Sequence, residues 1–250
     1  YEAMARVGFR PAAEPPREDW LAPMLARKMV RAEYDERVKL EEPLVLMLRA
    51  IAAAHPGLEI HLLTDAPTLL FLGKFQEIAD STVFNRDAFA LELGHWLLPN
   101  DDTAALGMRG IEFGLSDTVA VRIRQGLLRL APLLPDELAG FAKAGNIGMR
   151  SASAVIVLTV DEDSVARRVA AGRCYEELCL LLGRHGFCCA MHAGITEVEA
   201  PNLALRGRLR TMRRPTVVFR TGKPLHDKDG QRPHSSRPSL GAVLLPADVT

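Results

Sequence analysis

The chain has no excess of either charge: 31 basic residues meet 31 acidic ones, for a formal net charge of zero. That argues against a nucleic-acid binder drawn by bulk phosphate attraction and leaves room for a local basic patch at most. No apolar run approaches the roughly 18 to 20 residues that a membrane span needs. A secretory start, with its charged opening, apolar stretch and cleavage site, is also missing. Cysteine is scarce: four in 250 residues, two of them adjacent. Small secreted disulfide scaffolds are built differently. The expectation is a soluble cytoplasmic protein that binds neither nucleic acid nor membrane. Because the chain opens at Tyr1 rather than at methionine, a trimmed or partial product is expected.

Several catalytic signatures are also missing. Neither G-x-G-x-x-G nor G-x-x-x-x-G-K-[ST] occurs, so a Rossmann or P-loop reading has no support. Serine, histidine and aspartate are present, but no G-x-S-x-G elbow anchors a triad. There is no internal repeat. What remains is ordinary globular material, 48% hydrophobic and 25% charged, and long enough for a substantial core.

Along the chain, RPAAEPPRED (10 to 19) reads as a linker or lead-in. Residues 20–245 are expected to form one domain, with 246–250 as a tail. WLAPMLARKMVRAEY predicts a helix from about Trp20 with basic residues at its end, and EEPLVLMLRAIAAA (41 to 54) predicts another, with Pro43 in its first turn. LEIHLLT (58 to 64) predicts a strand; 67–79 and 87–98 predict helices. The stretch from about 103 to 150 is less regular. Its VRIRQGLLRL (121 to 130) reads as a solvated helix face rather than a phosphate site. ASAVIVLTV (152 to 160) is a strand buried on both faces, followed by acidic DEDS and a long helix from about Val165 to Leu182. PTVVFRTG (215 to 222) is a second buried strand, and 223–239 an irregular arm. Strands separated by helices indicate a mixed α/β or α+β layer structure.

CYEELCLLLGRHGFCCAMHAG (174 to 194) holds all four cysteines. His185, Cys188, Cys189 and His192 spell H-x-x-C-C-x-x-H, but a tetrahedral site usually draws on two separated ligand pairs, and none completes this one. A buried helix explains the segment better. Val165, Val169, Gly172, Tyr175, Cys179 and Leu182 fall on one stripe, and Ala166, Ala170, Cys174, Leu178 and Leu181 on the next. Gly172 suits either a close approach or mere tolerance. Gly186 fits a C-terminal cap, with a short extended segment at Cys188–Ala190 and a turn at Gly194. No metal site is expected, and His185 and His192 are read as filling the loop.

In order and spacing, the strand, acidic turn, glycine-bearing helix and "L-L-x-x-x-G-F-x-x-x-x-x-x-G" resemble the C-terminal half of the FMN-dependent nitroreductase family. His185-Gly186-Phe187 stands at its Leu-Gly-Leu turn, with Gly194 as the later glycine. Leu205 to Leu209 and Pro215 to Pro224 fit the helix and strand that follow, and Ser236 to Leu240 the tail. ARKMVRAEYDE (26 to 36) and ELGHWLL (92 to 98) resemble a divergent, two-lobed branch of that family. The resemblance implies an α+β fold, a nitroreductase-like mixed sheet packed between helices. It further implies an FMN-dependent NAD(P)H oxidoreductase passing hydride through flavin to a small electrophile. Arg27, Lys28 and Arg31 would meet the FMN phosphate and ribityl chain, Arg237 would close on the phosphate, and N–H groups around Ala193 and Gly194 would lie against the flavin N5 edge. Guanidinium suits phosphate because it offers fork-like charged donors. Catalysis would need no side chain, the flavin carrying the chemistry. The family's Ser-x-x-Asn-x-Gln-Pro-Trp stretch is absent, and Met29 stands where a serine is usual. The resemblance therefore implies a homodimer or a complex with a missing lobe, and equally allows a non-catalytic domain that stores FMN or serves as a scaffold.

Overall fold

The computed structural model describes residues 18–27, 29–104, 106–132 and 135–226. In chain order the first half contains α1 Glu18–Ala26, α2 Glu42–Ala53, β1 Leu58–Leu63, α3 Ala66–Phe84, α4 Asp87–Trp96, β2 Leu97–Leu98 and β3 Met108–Arg109. A 3₁₀ turn at Gly110–Phe113 leads to α5 Asp117–Leu127 and α6 Pro135–Arg150. The second half is β4 Ala154–Val160, α7 Val165–Arg184, β5 Cys188–Met191, α8 Gly194–Glu197, α9 Glu199–Leu209 and β6 Arg214–Gly222.

The main sheet has the order β1-β4-β6-β5, every neighbouring pair antiparallel. β4 is central and buried along its whole length, as its unbroken apolar run requires. Successive side chains alternate between two cores. Ile156, Leu158 and Phe219 pack with Leu48 of α2 and Leu178 and Leu182 of α7. Val155, Val157 and Val218 pack on the other side with Leu72 of α3, Met149 of α6 and Ile195 of α8. The sheet is thus packed between helices, the expected α+β class. An isolated parallel bridge joins Met29 to Cys189 at its edge, and a separate two-stranded sheet pairs β2 with β3 in parallel.

Helix α7 ends as its sequence indicates. Gly186 has φ +75°, Phe187 N–H donates to the Leu182 carbonyl at 2.9 Å, and Gly186 N–H to that of Gly183 at 3.0 Å. This is a Schellman stop. One reading of α7 needs correction. Val165 and Val169 are 76% and 59% exposed, so its first six residues lie outside the core, which the helix enters at Ala171 and Cys174. Gly172 has open space where a side chain would be, so of its two readings tolerance holds and no close approach is made there.

The N-terminal segment differs most from its sequence reading. The helix predicted across WLAPMLARKMVRAEY stops at Ala26, and residues 29–34 form an extended strap along the β5 edge. Val30 N–H donates to the Cys189 carbonyl at 3.1 Å, Asp35 N–H to that of Lys223 at 2.8 Å, and Leu225 N–H to that of Glu33 at 2.9 Å. Tyr34, 1% exposed, seals the strap against the end of β6. A Cβ on Gly222 would fall 2.6 Å from the Tyr34 ring. Gly222→Ala is expected to cost about 1–3 kcal/mol through this overpacking. Gly172→Ala, in an exposed helix interior, should instead add about 0.5–1 kcal/mol. Urea denaturation of the two variants should move the midpoint in opposite directions.

Candidate functional site

The strap brings charge to the sheet edge. Arg220 lies in β6 on the face opposite Val217 and Phe219, and is 2% exposed. Its guanidinium lies beside Gly148 of α6, where a Cβ would come within 2.9 Å of Cζ, and 4.2 Å from the centre of the Tyr34 ring. Nη2 donates to the carbonyls of Arg31 at 2.7 Å and Ala32 at 2.9 Å. Nε donates to His192 Nε2 at 3.1 Å. Nη1 is buried with no partner among the described residues, an orphan that a ligand acceptor would satisfy.

Arg31 projects from the strap, with its guanidinium 4.5 Å from the centre of the Phe113 ring. Among the described residues no carboxylate pairs with Arg31 or Arg220 at bonding distance. Burial lowers the proton affinity of both guanidiniums, yet arginine remains charged. His192 is held well below the usual imidazole range, first by burial and then by the positive charges of Arg220 and Arg31. After it come Ala193, exposed, and Gly194, buried. Their amides stand at the entry of α8, where no residue of the helix can accept from them.

Asp80 of α3 lies behind this turn. Its Oδ1 would be 2.9 Å from a Cβ on Gly194, and its Oδ2 2.8 Å from one on Gly145. Gln76 Nε2 donates to it at 2.7 Å. Burial pushes the Asp80 carboxyl up to about 6, against the smaller opposing effect of that hydrogen bond. Donor groups thus dominate the edge, with one reluctant carboxylate behind them.

Arg31, Ala193 and Gly194 are thus on one edge of the sheet. Arg27 is not with them: it pairs with Glu176 of α7 at 2.7 Å. It lines an apolar cleft of about 430 Å³ between α1 and α7, with Met29, Tyr175, Cys179 and Phe187. Lys28 and Arg237 lie outside the described residues, as does the arm from residue 227 on. Arg220, Tyr34 and Asp80 were not singled out by the sequence, and His192 was read there only as filling the loop of the cysteine segment. One signal was visible, the arginine inside the otherwise apolar run VVFRTG.

The cysteine segment brings Cys179 against Cys189 and turns its two histidines elsewhere. Cys174, Cys179 and Cys189 are buried; His185 is exposed at the end of α7 and His192 turns to Arg220. No group of three metal-ligating side chains comes together among the described residues. Burial pushes the Cys174 thiol up to about 12, the opposite of an activated thiolate.

No protein-family model matches the sequence, and no curated protein does. Solved structures do match. The FMN-dependent nitroreductase NfnB from Mycobacterium smegmatis in complex with NADPH is 14% identical, with TM-score 0.59, covering 90% of this chain and 96% of that one. The FMN and NADPH-dependent nitroreductase NfnB from a Sphigopyxis strain is 16% identical, with TM-score 0.55 and coverage of 90% and 97%. A nitroreductase with bound FMN from Bacteroides fragilis is 10% identical, with TM-score 0.54 and coverage of 92% and 99%. At such identities these likenesses show the fold, which is nitroreductase-like.

Asp80 also makes stability depend on pH. Its folded-state proton affinity is raised, so its contribution is complete below about pH 4 and is lost as pH rises through about 6. Asp80→Asn removes that loss. Thermal melts should show the variant on the order of 2 kcal/mol more stable than the parent at about pH 8, and the difference should vanish near pH 4.

Proposed function

We propose that this chain is an FMN-dependent NAD(P)H oxidoreductase of the nitroreductase type. The observation that carries the reading is the donor cluster at the sheet edge. Two guanidiniums with no carboxylate at bonding distance among the described residues, one with an unpartnered, buried Nη1 that carries two N–H donors, stand beside a turn with two amides that its own helix cannot satisfy. FMN presents what such a cluster lacks: a phosphate and ring carbonyls that accept hydrogen bonds. The residues therefore fit the group. Arg31 and Arg220 would hold its acceptors, and Ala193 and Gly194 would offer their amides to the flavin N5 edge. Lys28 and Arg237 would contribute further phosphate donors. Bound FMN supplies two-electron chemistry, taking hydride from reduced nicotinamide and giving it to a small electrophile. The protein's own part is to bind and orient. Arg220 fixes the strap through two carbonyls, and Tyr34 keeps water from that contact.

A second reading is a flavin-fold domain that stores FMN or acts as a scaffold without turnover. The Arg27–Glu176 pair favours it, because it removes one expected phosphate ligand. A homodimer belongs to the proposal. Val165 and Val169 on α7, with Leu21, Met24 and Leu25 on α1, leave apolar surface that a second copy would cover. A monodisperse monomer in light scattering at micromolar concentration contradicts that part. A cytoplasmic setting is part of the same reading.

The test is a visible absorption spectrum after incubation with FMN and desalting. Retained flavin bands are expected, with Arg31→Ala weakening affinity about tenfold or more, the loss typical of a hydrogen bond to a charged group. NADPH oxidation by the loaded protein then separates turnover from storage. A protein that refuses added FMN ends the enzyme and storage readings and leaves the scaffold.

A further inference from the structure

His192 has a defined protonation state, which follows from geometry. Arg220 Nε carries a hydrogen and no lone pair. At 3.1 Å from His192 Nε2, it must be the donor and the imidazole nitrogen the acceptor. Nε2 therefore holds no proton, and the ring proton is on Nδ1. A second proton would have to enter at Nε2 and oppose the Arg220 N–H. The charged groups that act on the ring are Arg220 from β6 and Arg31 from the strap, both cationic, and among the described residues no carboxylate offsets them. Arg220 cannot readily turn away, since Nη2 is tied to two strap carbonyls and the guanidinium lies between Gly148 and Tyr34. Among the described residues Nδ1 has no hydrogen-bond partner. The histidine immediately precedes Ala193 and Gly194, and its backbone N–H donates to the Val218 carbonyl at 2.9 Å.

We propose that His192 is a neutral hydrogen-bond donor of the ligand site, presenting Nδ1–H beside the Ala193 and Gly194 amides to an acceptor atom of the bound flavin. Arg220 is the positioning residue that sets its tautomer. The ligand half of this assignment rests on the FMN reading above; the tautomer half does not. A neutral imidazole in this state polarises an acceptor without giving up its proton. The edge then offers donors throughout and no histidine acid, so any proton consumed in turnover must come from elsewhere.

Long-range proton–nitrogen correlation spectra of protein labelled with nitrogen-15 in histidine test the tautomer directly, the His192 ring being identified by its loss in His192→Asn. The expected result is a protonated Nδ1 and an unprotonated Nε2 from about pH 5 to about pH 8. An Nε2–H tautomer, or ordinary titration across that range, overturns the assignment without recourse to any variant. Arg220→Met should restore an imidazole that titrates. FMN added to the labelled protein should shift the Nδ1–H resonance while its own fluorescence is quenched. His192→Phe should weaken FMN roughly five- to tenfold, and His192→Asn, with an amide N–H in place of Nδ1–H, should recover most of the loss. Quenching with an unmoved Nδ1–H overturns the ligand half alone. No quenching at all overturns the FMN reading, and the ligand half with it, while the tautomer stands or falls on the first spectra.

Discussion

Arg220 is the constraint on which the site depends. A cation 2% exposed in a central strand costs several kcal/mol in desolvation unless its donors are met. Here they are met by two strap carbonyls, an imidazole nitrogen and the face of Tyr34, rather than by a carboxylate. Each of those partners is thereby fixed. The strap is tied to β6, the histidine to one tautomer, and α6 must carry Gly148 to leave room. A buried positive charge with the two N–H groups of Nη1 left over is an arrangement that favours an anionic or acceptor-rich ligand over water.

Two of the three glycines of α6 follow from similar pressure. Gly148 gives way to Arg220 and Gly145 to Asp80. Those residues are also why the middle of the chain looked irregular in sequence. Glycine lowers the apparent helix signal, yet α6 is a helix of 16 residues because it packs along α3. Local propensity was overridden by tertiary contact. The strap shows the reverse case. RKMVRAEY favours a helix locally, but pairing with β5 and the fit of Tyr34 over Gly222 draw residues 29–34 out straight.

Strands β4 and β6, the cap of α7 and the α+β class were legible because their signals are local: apolar runs, an acidic N-cap region, a glycine with positive φ. The placement of the candidate residues was legible in part: Arg31 and the Ala193–Gly194 turn lie on one edge of the sheet, whereas Arg27 is drawn to Glu176 by a helix far along the chain. His192 was grouped with the cysteines by adjacency, although its partner is 28 residues away. Fold likeness at 10% to 16% identity could not have assigned these roles, since function is carried by sites placed on folds.

Hydrogen–deuterium exchange with and without FMN tests the central claim most directly, because it reads every segment of the intact protein at once. If the Arg220-centred edge is the flavin site, added FMN slows exchange in residues 29–34 and 188–194 and leaves the exposed start of α7, residues 165–170, unchanged. Protection confined to the cleft between α1 and α7, or none anywhere, contradicts it.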